Sequence, residues 1–255
     1  MRIYTALTIG LLIVLPLTQA RASGPGEILG RYVEDFREDP ASKGLKISFG
    51  VEIEGQGNWT VRIADSSGIS LNKGMPTEPT FMYITDMKTL RRMDRDELAV
   101  ITAMGRARSS DPAPMDFSLM EGYGPPGDFM AFLTPFTFHF WTREFPEKVR
   151  FGDSRYTRVV HGANVTALYY QSGFRSAWYQ IEKGQHVNRS EEDQVNLFPT
   201  MVIFTSGEAE ARIGGEYMKI EQGCSVLIPA GVSHEFWNDR EAPAEFIIVM
   251  FGEGA

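Results

Sequence analysis

The sequence predicts two folded units in series, an α+β unit followed by an all-β sandwich or barrel. Residues 26–122 read as an amphipathic helix, then alternating strands, then further helices, which is the order of an α+β domain. From residue 159 onward, short apolar runs are separated by Gly, Asn or Pro. Short strands broken by such turns are typical of a small sandwich or barrel.

The first unit is predicted from two different periodicities. Residues 45–54 alternate apolar and polar side chains, residues 59–63 do the same, and a glycine-rich turn joins them, which predicts a hairpin. Asp86 is predicted to cap a helix running through Met93, and Gly105 to end the next one. Before the hairpin, one helical face is predicted from Ile28, Leu29, Tyr32, Val33 and Phe36.

An aromatic segment separates the two units. Residues 109–128 are rich in Ser, Asp, Pro and Gly, which predicts a linker. The aromatic side chains that follow are Phe129, Phe132, Phe136, Phe138, Phe140, Trp141 and Phe145. Because a large exposed aromatic patch promotes association, residues 123–158 are expected to be a linker that seals an interdomain or dimer interface, or to form a ligand wall.

The N-terminus and the charge restrict location and partners. Residues 1–22 combine Arg2, an apolar core and a small-residue cleavage site, which predicts a signal peptide. We therefore expect export to the periplasm or the extracellular space, and a mature protein that is not integral to the membrane.

A net charge of −8 argues against nucleic acid as a partner. The single cysteine, Cys224, excludes an internal disulfide and is expected to be a small buried side chain.

A motif near the end of the chain carries the most specific signal. Gly223, Pro229, Gly231, His234 and Asn238 resemble the second conserved motif of the cupin superfamily, G-x5-P-x-G-x2-H-x3-N. The resemblance implies a cupin (RmlC-like) jelly-roll barrel over residues 159–255, with His234 at its mouth. It also implies a homodimer, since cupins commonly pair their barrels.

A second resemblance covers the first unit. Residues 57–63 and 79–90 are similar to the sterol carrier protein 2 (SCP2) family in their pattern of core positions. The resemblance implies an SCP2-like lipid-binding domain over residues 26–122, with an apolar tunnel for a small apolar or lipid ligand.

The first cupin motif, G-x5-H-x-H-x3,4-E-x6-G, is degenerate. With Gly207 as its closing glycine, Thr200 takes the position of the glutamate. The histidine pair falls on Gln194 and Asn196, or one residue earlier on Asp193 and Val195. In either register no imidazole pair is present to join His234. This count predicts a barrel without a metal cofactor.

An alternative register keeps a metal site open. His186 and Glu192 have the spacing of the first histidine and the glutamate, with Asn188 at the second histidine position. His186, Glu192 and His234 could then bind Fe, Mn, Ni or Zn as two imidazoles and one carboxylate.

Three functions follow from these patterns. The first is an exported protein that binds a small molecule or lipid, with a metal-poor barrel. The second is a metal-dependent cupin enzyme, a dioxygenase or isomerase acting on a small organic or lipid-derived substrate. The third is a purely structural dimer. His234 is the candidate acid–base catalyst, and the candidate ligand-binding residues are Trp178, Tyr179, Phe236 and Trp237.

Overall fold

The structure is a computed structural model that describes residues 23–65, 68–108 and 110–255. The predicted signal peptide at residues 1–22 lies outside the described residues. Within the described ranges, no helix is long and apolar enough to cross a bilayer.

The first unit is built on a five-stranded sheet in the order β3-β2-β1-β4-β5. Strands β1 and β4 are parallel, and the other neighbouring pairs are antiparallel. The predicted hairpin is present as β1 and β2, with Phe49 opposite Val61 and Val51 opposite Trp59. The strands are β1 (Lys46–Ile53), β2 (Gly57–Ala64), β3 (Ile69–Lys73), β4 (Phe81–Thr85) and β5 (Met115–Leu119).

Three of the helices of this unit form where the sequence predicts them. Helix α1 (Pro25–Glu38) buries all five apolar residues of its predicted face. Helix α2 (Met87–Asp94) follows Asp86, whose carboxylate accepts from the backbone N–H of Thr89 at 2.8 Å. Helix α3 (Val100–Met104) ends at Gly105.

The aromatic segment is folded rather than a linker, and it also contacts the second unit, with the ring of Phe138 lying 4.9 Å from that of Tyr169. It forms helix α4 (Phe129–Trp141), whose first turn is capped by Asp128. Phe136 and Phe140 pack on Phe49 of the sheet, with ring centroids 5.4 and 4.9 Å apart. Aromatic residues three and four positions apart share one helical face, so the segment contributes to the core of the first unit. The predicted linker also contains a strand, β5, on the edge of β4.

The second unit consists of two β-sheets packed face to face, and the sheets are not closed. The first has the order β13-β10-β15-β8-β7-β6 and the second β12-β11-β14-β9. The strands are β6 (Arg158–Val160), β7 (Ala163–Gln171), β8 (Phe174–Ile181), β9 (His186–Val187), β10 (Thr200–Ser206), β11 (Glu208–Ile213), β12 (Glu216–Glu221), β13 (Ser225–Ile228), β14 (His234–Trp237) and β15 (Ala244–Phe251). Cys224, expected to be buried, is exposed just before β13, because a turn rather than a strand holds it.

Strands β6 and β7 connect the two units. The Arg158 guanidinium donates to the backbone carbonyls of Thr102, Ala103 and Gly105 at the end of α3, at 2.9, 3.0 and 2.8 Å. The backbone N–H of Ala167 donates to the Thr102 hydroxyl at 2.8 Å. These contacts hold α3 against the barrel strands and give its last carbonyls a hydrogen-bond donor.

Candidate functional site

His234 begins β14 and faces the space between the two sheets. The preceding turn contains Gly231 at φ +78°, a conformation that side chains other than glycine rarely adopt. The backbone N–H of His234 donates to the carbonyl of Gln194 at 2.8 Å. Its ring Nδ1 lies 3.1 Å from the carbonyl of Val232. A neutral ring that donates from Nδ1 leaves Nε2 as an acceptor on the pocket side.

Asn196 and Thr200 meet His234 in this pocket. The Asn196 amide Nδ2 lies 3.1 Å from the Thr200 hydroxyl and 3.5 Å from His234 Nε2. These are the positions at which the count back from Gly207 places a histidine and the glutamate of the first cupin motif. Gly207 itself has φ +68°, and a Cβ there would lie 2.3 Å from the Pro243 carbonyl, so the fold requires glycine. The structure therefore favours this register, with an amide and a hydroxyl beside the imidazole of His234.

His161 is a pocket residue that the sequence did not reveal. It lies in the turn between β6 and β7 at φ +52°, and it lines the same pocket as His234. Its Nδ1 is buried without a hydrogen-bond partner among the described residues. No motif or strand alternation includes this position, and only the folding of β6 and β7 brings it to the pocket.

Burial controls the charge of both imidazoles. Loss of solvent lowers the pKa of His161 and of His234, and the proximity of the two rings lowers the pKa of His234 further. At about pH 7 both rings are therefore neutral. A neutral imidazole both donates and accepts one hydrogen bond, so the pocket can recognise a hydroxyl, carbonyl or acid group.

The predicted metal ligands His186, Glu192 and His234 do not come together. His186 lies on β9, and its Nε2 contacts the Glu235 carboxylate at 2.6 Å. Glu192 has a side chain 78% exposed and pairs with Arg108 at 3.4 Å. In the described ranges, the one group of three His, Cys, Asp or Glu residues with ligand atoms within 4.8 Å of one another lies in the first unit.

Two of the four predicted ligand-binding residues line the pocket. Tyr179 and Phe236 do so, together with Val202, Phe246 and Ile248. Trp178 is buried on the other face of β8, with its ring 6.3 Å from that of Phe151. Trp237 lies on the other face of β14, 5.4 Å from the ring of His186. Neighbouring residues of a strand point to opposite faces, so one member of each adjacent pair is excluded from the pocket.

Three adjoining cavities extend from His234 into the first unit. The barrel pocket around His234 has a volume of about 60 Å³. It shares His161, Tyr179, Asn196 and Met250 with the junction cavity, which measures about 250 Å³ and lies between the units. The junction cavity in turn shares residues with an apolar cavity of about 350 Å³ between α3, β5 and α4; these are Ile101, Gly105, Arg106 and Tyr170.

The comparison with protein families matches residues 178–250, which run from within β8 to within β15, to the cupin domain. Residues 178–250 are a cupin domain. The match includes His234 and its Asn196 and Thr200 neighbours. It does not extend to residues 26–122, so the SCP2-like character of the first unit stays a prediction. A comparison with curated proteins finds no match.

Solved structures similar to this chain share little sequence with it. A cupin 2 conserved barrel domain protein from Salinispora arenicola is 18% identical over 41% of this chain and 88% of its own, with a TM-score of 0.36. The plu4264 protein from Photorhabdus luminescens is 18% identical over 41% and 87%, with a TM-score of 0.36. A predicted oxalate decarboxylase from Thermotoga maritima is 17% identical over 35% and 79%, with a TM-score of 0.32.

The barrel pocket of this cupin domain does not fit the metal that the metal-binding cupins imply. Transition ions are held by imidazole and carboxylate ligands. Beside His234 the corresponding positions carry the neutral amide of Asn196 and the hydroxyl of Thr200. His161 and Asp193 also line the pocket, but Asp193 pairs with Arg108, and the ligand atoms of His161, Asp193 and His234 do not all lie within 4.8 Å of one another. This donor set suits hydrogen bonding to an organic molecule or to water.

Proposed function

We propose that the protein binds a small amphipathic carboxylic acid where its two units meet, without a metal in the barrel. The observation that carries the proposal is the series of adjoining cavities, polar at the His161 end and apolar at the α4 end. An amphipathic molecule matches such a gradient, because its hydrocarbon part gains free energy on leaving water and its polar end keeps its hydrogen bonds.

The volumes indicate where the ligand binds. Pockets for organic ligands commonly measure about 300–1,000 Å³. The barrel pocket, at about 60 Å³, is large enough for ordered water, which needs about 10–15 Å³, and too small for an organic molecule. The apolar cavity and the junction cavity, at about 350 and 250 Å³, adjoin each other and together have the required size. We therefore assign the ligand to these two cavities and its polar end to the side nearest the barrel pocket.

Arg175 supports the proposal that the polar end of the ligand is an acid. It lines the junction cavity together with His161 and Asn196. Its guanidinium donates to the carbonyl of Gly254 at 3.3 Å and lies over the ring of Phe198 at 5.2 Å. Among the described residues no carboxylate forms an ion pair with it, and guanidinium groups bind carboxylates strongly.

The apolar cavity supports a hydrocarbon tail. The hydrophobic side chains that line it come from helix α3, strand β5, helix α4 and strand β7; they are Ile101, Met104, Phe117, Met130, Leu133 and Tyr170. Each buried methylene contributes about 0.8 kcal/mol, so a chain of about seven carbons contributes about 5–6 kcal/mol, which corresponds to a dissociation constant of about 0.1 mM.

Isothermal titration calorimetry with sodium octanoate and with 1-octanol tests this proposal. We expect both to bind the wild type, because both can fill the apolar cavity. Arg175→Met removes the charge and retains much of the stem. This variant should lower the affinity for octanoate by about tenfold or more, the equivalent of one charge-assisted hydrogen bond, and leave the affinity for octanol unchanged.

A matched pair of tryptophan variants locates the tail. Met130→Trp places an indole in the apolar cavity and should weaken both ligands. Met75→Trp is the control, because Met75 is equally exposed in the first unit, 51% against 50%, and does not line the cavity. Absence of binding to the wild type, or equal effects of the two tryptophan variants, would contradict the proposal.

A further inference from the structure

A second group of titratable side chains lies in the first unit, away from the barrel pocket. Asp39 follows helix α1, His139 lies in the last turn of helix α4, and Glu147 follows that helix. His139 Nδ1 contacts both carboxylates; it lies 3.2 Å from Asp39 Oδ2 and closer still to Glu147 Oε1. One ligand atom from each residue lies within 4.8 Å of the other two.

The burial of this group distinguishes it from a solvated acidic patch. The side chain of Asp39 is 5% exposed and that of Glu147 is 11% exposed. Among the described residues, no lysine or arginine forms an ion pair with either carboxylate, and His139 is their one ion-pair partner. Two neighbouring buried carboxylates require a shared proton or a cation, because their mutual repulsion is poorly screened.

The geometry suits a metal ion. Ligand atoms around a tetrahedral ion with bonds of about 2.0–2.2 Å are about 3.4 Å apart, so small rotations of these side chains would create the coordination sphere. Asp39 is already oriented, because its Oδ1 accepts from the backbone N–H of Ala41 at 2.7 Å while Oδ2 faces His139. Such a hydrogen bond to a ligating carboxylate is a common feature of metal sites.

We propose that Asp39, His139 and Glu147 form a binding site for a divalent first-row transition ion such as Zn²⁺ or Co²⁺. One imidazole and two carboxylates are a known type of donor set for these ions. Three protein ligands leave at least one position for water, and His139, whose side chain is 28% exposed, gives access from solvent. The ion would connect the segment after α1 to the end of α4 and to the segment that follows it.

Titration of the metal-free protein with CoCl₂, followed by visible absorption and by calorimetry, tests the site. The wild type should bind one Co²⁺ per chain and develop the d–d bands of a nitrogen–oxygen site. Glu147→Gln preserves shape and hydrogen bonding, and His139→Ala removes the nitrogen ligand. Each variant should lower the affinity for Co²⁺ by at least about tenfold, since even the loss of a hydrogen-bond partner outside the coordination sphere lowers metal affinity by that factor.

Two control variants separate this site from other possibilities. Glu144→Gln changes an exposed carboxylate three positions earlier and should leave Co²⁺ binding unchanged. His234→Ala should also leave it unchanged, because the barrel pocket is a different part of the molecule. Circular dichroism and thermal unfolding of each variant verify its fold. The proposal is overturned if the folded wild type binds no Co²⁺, or if His234→Ala removes binding while Glu147→Gln does not; the cluster then shares a proton instead.

Discussion

Burial of His161 and His234 makes the barrel pocket sensitive to pH. Both imidazoles have a lowered pKa, chiefly because burial disfavours the charged ring. In the unfolded chain each ring takes up a proton below about pH 6.5. The folded chain takes it up only at lower pH, so the unfolded state binds more protons as the pH falls below about 6.5. The free energy of unfolding therefore decreases with falling pH and levels off below the folded-state pKa.

The variant His161→Asn tests this linkage. Asparagine tolerates the positive φ of this position better than most residues, so the turn between β6 and β7 should persist. Urea denaturation at about pH 7.5 and about pH 5.5 should show a smaller loss of unfolding free energy in the variant than in the wild type. Val159→Asn, at an exposed position of the same hairpin, should keep the wild-type dependence. Equal losses in all three proteins would contradict the role of His161.

The turn between β6 and β7 is the element that presents His161 to the pocket. Gly162, in that turn, has φ +83°, and a Cβ there would lie 2.2 Å from the carbonyl oxygen of His186. The backbone N–H of Asn188 donates to the His161 carbonyl at 3.3 Å. The turn therefore packs against the backbone around β9, and this contact leaves no space for a side chain.

Comparison of two glycine variants isolates that contact. Gly173 has a similar φ of +79°, but a Cβ there would meet its nearest atom at an ordinary 3.6 Å. Gly162→Ala and Gly173→Ala therefore share the conformational cost of a positive φ, about 1–2 kcal/mol. Gly162→Ala should lose about 1–3 kcal/mol more, the usual cost of overpacking. Denaturant unfolding measures the difference in unfolding free energy between the two variants. Equal losses would contradict a rigid contact between Gly162 and the His186 carbonyl.

The connection between the units determines the behaviour of the whole molecule. Helix α3 has only five residues, which is too short to be stable on its own, and its last carbonyls receive hydrogen bonds from Arg158 of β6. Rings also meet across the junction, with Phe138 of α4 lying 4.9 Å from Tyr169 of β7. The junction and apolar cavities are formed by these same elements, so the proposed ligand site depends on both units.

Arg158→Met measures the strength of the connection. Methionine retains an apolar stem and removes all the donors, so three carbonyls lose a charged partner. We expect the free energy of unfolding to fall by about 1.5–3 kcal/mol, as for loss of a hydrogen bond to a charged group. Arg155→Met is the control; its side chain is 73% exposed and pairs with the neighbouring Asp153, so its effect should stay within about 0.5 kcal/mol. A similar small effect of both variants would contradict the proposed role of Arg158.

Features that depend on neighbouring residues in the chain could be predicted from the sequence. The buried face of α1, the β1–β2 hairpin and the cap at Asp86 all appear as predicted. The spacing of the cupin motif placed His234 at the start of a strand after a glycine turn, and the family match confirms a cupin domain there. Helical and strand periodicity, turn residues and motif spacing are local properties, and they persist whatever the chain packs against.

Features that depend on distant partners could not be predicted. Trp178 and Tyr179 are neighbours on one strand and face opposite sides of it, but a shift of one residue exchanges the sides, so the sequence left the pocket face undetermined. The predicted linker contains β5 because the edge of β4 offers hydrogen-bond partners. The aromatic segment entered the core as α4 because a sheet lies beside it.

The sequence by itself determined an α+β unit followed by a cupin domain, with His234 at the start of a barrel strand and no second imidazole at the positions counted back from Gly207. The tertiary structure alone decided that Asn196 contacts both His234 and Thr200 while His186 and Glu192 lie elsewhere. It also decided that His161 enters the pocket and that Asp39, His139 and Glu147 meet. The physical reason is that side chains far apart in the chain become neighbours only when sheets and helices pack, and no local pattern records which neighbours they will be.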